Sequence, residues 1–240
     1  MPTPFALLWH RCQLVSRTWT SAPYGGMVTD YQRPALVIPT FFDAEGREIE
    51  YGHRWGGESP PDDSYSRTSN LERFAPLHTV ADALIDWLAA TFDVTHEEDA
   101  SVASDVLRAP DDVQRAVRLT PTDSACAPLT FLLTSFTGIV LHAGALHDFL
   151  FPVCGCDACD EDVVGLADEL EWTVRTVAYG GYSEAIDPWP GTWVEYRLEE
   201  DGVGMRSGRS RANDIPSERR RTAKQMLPSG SAWRPWPVRL

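Results

Sequence analysis

Three cysteines stand within six residues of this sequence, in the run Cys154-Gly-Cys-Asp-Ala-Cys159. The run separates a segment of strand-like composition from a long amphipathic pattern, so the chain has to bend here between two regular elements. Such a spacing indicates a metal or thiol-redox site, or else a compact structural turn. Only two of the five cysteines lie elsewhere in the 240 residues, which is not the pattern of a disulfide framework.

The metal interpretation uses all three thiols of the run. Thiolates at C-x-C-x₂-C spacing suit a tetrahedral soft-metal site, and the glycine between the first two allows a tight backbone path. The predicted ligands are Cys154, Cys156, Cys159 and His147. Alternatives for the fourth position are His142, Cys126 and Asp157. Iron–sulfur clusters take four thiolates at other spacings, so the predicted cofactor is zinc, although the second C-x₂-C of a zinc ribbon is missing.

Two other interpretations of the run stay open. A redox enzyme or sensor would use Cys156 and Cys159 as a C-x-x-C pair at a helix start, where the helix dipole lowers a thiol pKa. The four carboxylates between residues 157 and 162 raise that pKa and should outweigh the dipole, which disfavours an activated nucleophile. In the third interpretation the cysteines are small hydrophobic residues of a connection, and Asp160 caps the following helix.

Charge is distributed unevenly along the chain, whose formal net charge is −14. Residues 1–200 carry twelve basic against thirty-two acidic residues, a balance of −20, whereas residues 201–240 carry nine against three, a balance of +6. An acidic body repels phosphate backbones, so we expect no nucleic-acid binding by the folded domain. Neither a signal peptide nor an apolar run of the ~18 residues that a membrane span needs is recognisable, which predicts a cytoplasmic protein with reduced thiols.

Apolar periodicity predicts two helices, one from Pro76 to about residues 90–92 and one over roughly residues 160–179 that ends at Gly180-Gly181. The predicted strands cover residues 113–119, 129–136, 139–145, 147–153 and 194–198. Residues 97–112 are acidic and aperiodic, so we predict a loop there, and Trp189–Trp193 is predicted to be a turn. Sequential strands flanked by helices favour an α+β fold, a mostly antiparallel sheet with two amphipathic helices packed on it.

Composition predicts how the chain divides. Residues 1–29 contain no Asp or Glu and are predicted to form a weakly ordered extension. Residues 30–198 are predicted to be a single α+β domain, with hydrophobic residues and tryptophans enough for a substantial core. Residues 199–240 form a basic tail rich in Gly, Ser and Arg, for which composition predicts disorder.

Three segments carry a resemblance to a known family. They are Arg54-Trp-Gly-Gly-Glu-Ser-Pro-Pro61, Glu72-Arg-Phe-Ala-Pro-Leu-His78 and Phe151-Pro-Val-Cys-Gly-Cys-Asp-Ala-Cys-Asp-Glu161. With them the chain resembles an uncharacterised family of actinobacterial proteins, a domain of unknown function, over about residues 30–198. The resemblance implies a bacterial, cytosolic origin and no mechanism.

No G-x-S-x-G, H-E-x-x-H or P-loop motif occurs in the sequence, so it predicts no catalytic residues. The leading hypothesis is therefore a non-enzymatic binding or regulatory module whose cysteine run holds a structural zinc or fixes a surface. A thiol redox enzyme or sensor is the second hypothesis. The third is an acidic inhibitor or immunity-type protein that uses the −20 body to bind a basic protein partner.

Overall fold

Five consecutive strands form one antiparallel sheet in the computed structural model, which describes residues 30–187, 193–228 and 230–240. The strands are β1 (Val94–Glu98), β2 (Val113–Pro121), β3 (Leu129–Thr134), β4 (Ile139–Ala143) and β5 (His147–Phe151). Each strand pairs with the next in the chain, so the sheet is a meander. β2 to β5 confirm the four predicted strands of this region, with bounds shifted by a few residues.

A second antiparallel sheet contains β6 (Tyr182–Ile186), β7 (Trp193–Glu200) and β8 (Gly204–Arg211), with β7 in the middle. β7 includes the strand that we predict at residues 194–198. The two sheets and the helices confirm the predicted α+β class.

The helices of the described residues are α1 (Pro76–Thr91), α2 (Val163–Ala178) and α3 (Ser217–Met226), besides short 3₁₀ turns. Pro76 opens α1, as the missing N–H of proline allows at a first helical position. α2 begins after Asp162, whose carboxylate accepts a hydrogen bond from the Gly165 N–H at 2.8 Å, and it ends before Gly180, which has a φ of +82°. Asp162 is thus the N-cap of α2, and the prediction that Asp160 caps it is wrong.

α1 and α2 pack on one face of the five-stranded sheet and form the main core with it. The other face of β2, β3 and β4 is covered by a 3₁₀ turn at Ala100–Asp105, which adds Val102 to a smaller apolar cluster. Every side chain of β3 and β4 is therefore buried, as expected for central strands covered on both sides.

The predicted loop at residues 97–112 is wrong in part, because it contains the end of β1 and the 3₁₀ turn. β1 is an exposed edge strand whose charged residues hide its strand character from an apolar pattern. Its pairing with β2 is supported by ion pairs across the strands, Arg115 with Glu98 at 2.9 Å and Arg118 with Glu97 at 2.6 Å.

The prediction of a disordered tail over residues 199–240 is also wrong. β8 and α3 lie there, and Trp233 and Trp236 are each only 3% exposed in the main core. Two of the three basic residues of β8 are paired with acidic residues of the preceding chain, Arg206 with Glu169 and Arg209 with Glu195. A basic composition rich in Gly, Ser and Arg indicates disorder when the segment is considered alone. This segment can nevertheless fold, because the rest of the chain supplies acidic residues that pair with its arginines.

Residues 230–240 connect distant parts of the molecule through main-chain hydrogen bonds. The N–H of Trp233 donates to Tyr182 O in β6, and the N–H of Trp236 donates to Ala178 O at the end of α2. Arg239 reaches the end of α1 in the same way, by donating to Thr91 O at 2.9 Å. This segment thereby joins the second sheet to both helices of the main core.

Two predictions fall on residues outside the described ranges, the extension over residues 1–29 and most of the turn Trp189–Trp193. No helix in the described ranges combines the length and apolar character that crossing a membrane requires.

Candidate metal centre

The cysteine loop, residues 152–162, links the end of β5 to the start of α2. The Sγ atoms of Cys154, Cys156 and Cys159 all lie within 4.8 Å of one another, and those of Cys156 and Cys159 are 3.4 Å apart. Zinc holds thiolates at about 2.3 Å, and so a tetrahedral ion needs sulfurs about 3.8 Å apart. The three thiols therefore meet the spacing of a zinc site with small adjustments.

Gly155 allows the loop to lie close against the sheet. A Cβ atom at this position would stand 2.5 Å from Cζ of Phe136, well inside the distance that real Cβ atoms reach. The glycine is thus required for close packing against the β3–β4 turn.

The three thiols differ in their ease of ionisation. Burial raises the pKa of Cys154 and of Cys159. Burial also acts to raise the pKa of Cys156, but hydrogen bonds to its sulfur from Cys154 and from the backbone N–H groups of Cys159 and Ala158 outweigh it and lower the pKa. The prediction that the neighbouring carboxylates outweigh the effects that lower a thiol pKa therefore does not hold at Cys156.

Those carboxylates hold the loop in place instead of surrounding the sulfurs. Asp157 is 1% exposed and accepts hydrogen bonds from the Ser69 N–H and Oγ at 2.8 and 2.9 Å. Its oxygens also lie 3.8 Å from Arg54 and 3.9 Å from Arg67. Asp157 thus fixes the centre of the loop to residues 51–73, which we call the clamp segment.

Two more carboxylates of the loop bind main-chain N–H groups. Asp160 accepts a hydrogen bond from the Arg54 N–H at 2.8 Å, and Glu161 accepts one from the Cys154 N–H at 3.1 Å. Burial raises the pKa of both carboxyl groups, although these hydrogen bonds oppose the effect. The acidic residues around the cysteines therefore serve to hold the backbone of the loop and of the clamp segment in place.

Arg73 contacts the loop from the clamp segment with a side chain that is only 2% exposed. Its Nη2 donates to Gly155 O at 3.4 Å, and its Nη1 donates to the carbonyls of Ser69 and Asn70. The guanidinium also lies over the rings of Tyr51 and Phe74, with its carbon 4.3 and 4.1 Å from their centroids. A buried cation is thus held one carbonyl away from the cysteines.

His147 does not join the thiols, for the group of potential ligand atoms in the described chain contains the three cysteines alone. It lies at the opposite end of β5, where its ring packs 3.8 Å from that of Tyr196 and 4.5 Å from that of Phe149. Burial lowers its pKa to about 3. β5 is extended from His147 to Phe151, and its length carries His147 away from the loop that follows its other end.

The alternative fourth ligands are also engaged elsewhere. His142 Nδ1 lies 2.6 Å from the Asp148 carboxylate, and Cys126 Sγ lies 3.2 Å from Pro235 O. Asp157 binds the clamp segment as described. Within the described residues the site therefore offers three ligands.

The fold and the site together define a class of protein. It is an α+β protein whose three-thiol loop is held by the clamp segment, which precedes it in the chain and contains no regular strands. A family model matches residues 37–240, and the chain belongs to that family, a family of unknown function, DUF6226. The match extends beyond residue 198, where the resemblance ends, and includes β8 and α3. Neither the curated proteins nor the solved structures gave a match.

The three segments that carry the resemblance come together at the loop. Arg54 and Trp55 of the first segment bind Asp160 and the Asp157 carbonyl, and Arg73 of the second binds Gly155 in the third. Sequence reasoning found the cysteines but missed Arg54, Ser69 and Arg73 as their neighbours. The only signal was that these motifs are unusual in composition and lie in segments that periodicity leaves unassigned.

Proposed function

We propose that this protein is a non-enzymatic binding or regulatory module whose cysteine loop holds a structural zinc ion through Cys154, Cys156 and Cys159. The observation that carries the proposal is the approach of the three sulfurs to within 4.8 Å of one another, with two of them 3.4 Å apart. The absence of the common catalytic motifs from the sequence favours a structural role for the ion. The proposal includes a bacterial cytoplasm as the location, since thiols stay reduced there.

Zinc at this place would stabilise the contact between the cysteine loop and the clamp segment. Two carboxylates of the loop accept hydrogen bonds from residues 51–73: Asp157, which directly follows Cys156, and Asp160, which directly follows Cys159. Fixing three sulfurs on one ion fixes the backbone between them, so these two carboxylates keep their positions. Binding to the folded state alone adds RT ln(1 + [Zn]/Kd) to the free energy of unfolding.

Metal analysis of the protein purified under reducing conditions tests the proposal. We expect one zinc ion per chain in the wild type, and a loss of zinc with a lower Tm in Cys154→Ser, Cys156→Ser and Cys159→Ser. Cys126→Ser is the matched control, because Cys126 is buried as well but lies outside the group. A metal-free wild type whose Tm does not respond to added zinc contradicts the proposal.

A thiol redox function is the second candidate, favoured by the 3.4 Å contact between Cys156 and Cys159 and by the lowered pKa of Cys156. Two contacting thiols of a C-x-x-C pair form a disulfide when an oxidised disulfide such as oxidised glutathione accepts the two electrons, and a lowered pKa favours the thiolate that starts this exchange. Mass analysis after equilibration in glutathione buffers separates the two functions. A reversible Cys156–Cys159 disulfide in metal-free wild type supports redox chemistry, and thiols that stay reduced at the most oxidising ratio exclude it.

A further inference from the structure

We infer that Arg73 is the counter-ion of an anionic metal–thiolate centre in the cysteine loop, and so controls metal affinity without being a ligand. This inference rests on the proposed zinc site and adds to it the charge of the occupied state. It follows from the position, burial and partners of a single side chain.

Arg73 is a buried cation with no close carboxylate. Its side chain is 2% exposed, yet no ion pair within 4.0 Å involves it in the described part of the chain, and its Nε atom has no hydrogen-bond partner there. Its hydrogen bonds go to neutral carbonyl groups, and its remaining contacts are the rings of Tyr51 and Phe74. Burying a charge without a partner is costly, so an opposite charge is expected close by.

The nearby carboxylates are occupied in other ways. Asp157 binds Ser69 and lies near Arg54 and Arg67, Asp160 accepts the Arg54 main-chain N–H through Oδ2, and both oxygens of Glu161 accept main-chain N–H groups. They add to the field around Arg73, but none of them meets the guanidinium directly.

The cysteines supply the missing charge when they hold a metal. Three thiolates on one divalent ion carry a net charge of −1, which the +1 of Arg73 neutralises. The contact to Gly155 O places the guanidinium beside the residue that joins Cys154 to Cys156.

This arrangement makes zinc affinity depend on charge at position 73. Arg73→Gln keeps an amide donor but removes the charge, and Arg73→Lys keeps the charge but removes the planar guanidinium group with its several N–H donors. We expect Gln to weaken zinc binding by about 10- to 100-fold, the range for residues next to metal ligands, and Lys to retain most of the affinity. Arg54→Gln is the matched control. It removes a second cation beside the loop while leaving the Arg54 main-chain donor in place, and we expect a smaller loss.

Chelator competition gives the zinc affinity of the four proteins, and urea unfolding gives the stability of their metal-free forms. Weaker binding by the Gln variant with affinity kept by the Lys variant supports the counter-ion. Equal affinity in wild type and the Gln variant means that Arg73 does not control metal affinity, and a Lys variant as weak as Gln means that Arg73 acts through shape and hydrogen bonds. Either result overturns the inference. A wild type that binds no zinc fails at the proposed function instead, so the two failures are distinguishable.

Discussion

Strands β3 and β4 bury every side chain that they carry, and these side chains are mostly apolar, whereas the cysteine loop buries the carboxylates of Asp157 and Asp160. In the sheet, burial itself supplies the stabilisation, and a lost methyl group leaves a cavity. In the loop, burial of charge is unfavourable unless donors are close by, and the clamp segment provides them for Asp157 and for one oxygen of Asp160. The first region is stabilised by apolar burial, and the second depends on a set of polar partners being present together.

The largest loss of stability is expected from a substitution in the five-stranded sheet. Phe131 in β3 is 0% exposed, and Phe131→Ala removes its ring from the main core, which should lower the free energy of unfolding by about 3–5 kcal/mol. Urea unfolding measures the loss. It should be the same with and without added zinc, because the cavity lies in the sheet. A loss that depends on the metal would show that the two regions are not independent.

A smaller effect is expected in the loop from Asp157→Ala. The change leaves Ser69 without its acceptor and removes the carboxylate that lies 3.8 Å from Arg54 and 3.9 Å from Arg67, which should cost about 1.5–3 kcal/mol. Asp157→Asn is the control, since it keeps one oxygen acceptor and should cost less.

Hydrogen exchange localises that loss. The amides of Ser69 and Ala158 should exchange faster in Asp157→Ala, while those of β3 and β4 keep their protection. Uniformly faster exchange over the sheet would contradict the separation between the two regions.

The smallest effect is expected on the pH dependence of stability, and it concerns His147 at the start of β5. The pKa of His147 is lowered from 6.5 to about 3 by burial, so the unfolded chain binds a proton that the folded chain does not. This contribution to stability is complete above pH 6.5 and is lost as the pH falls toward 3, with a slope of up to about 1.4 kcal/mol per pH unit. His147→Phe keeps a ring beside Tyr196 and should remove that slope, which urea unfolding between pH 6.5 and 5 would reveal. An unchanged slope would mean that His147 is hydrated.

The same contrast explains what could be predicted from the sequence. α1, α2 and the strands β2 to β5 follow from apolar periodicity, because their stabilisation comes from apolar faces that the pattern displays. β1, β8 and α3 are charged, and their partners lie elsewhere in the chain, so local composition assigns them to loop or tail.

The candidate site divides in the same way. The three cysteines are adjacent in sequence and could be identified as a group. Arg73 lies 82 residues before Gly155, and Ser69 lies 88 residues before Asp157, so nothing local connects them to the loop. His147 does not reach the thiols, because it is close to the cysteines in sequence but an extended strand separates it from them in space.

The segment of residues 230–240 has a consequence for biosynthesis. A ribosome completes Trp233, Trp236 and Arg239 after all the strands and helices that they join. While these residues are still in the exit tunnel, the nascent chain exposes the apolar ends of α1 and α2 and lacks the main-chain hydrogen bonds that join its second sheet to both helices. Folding of this protein is therefore expected to finish only after synthesis has passed residue 239, and chaperones that shield nascent chains should matter for its yield.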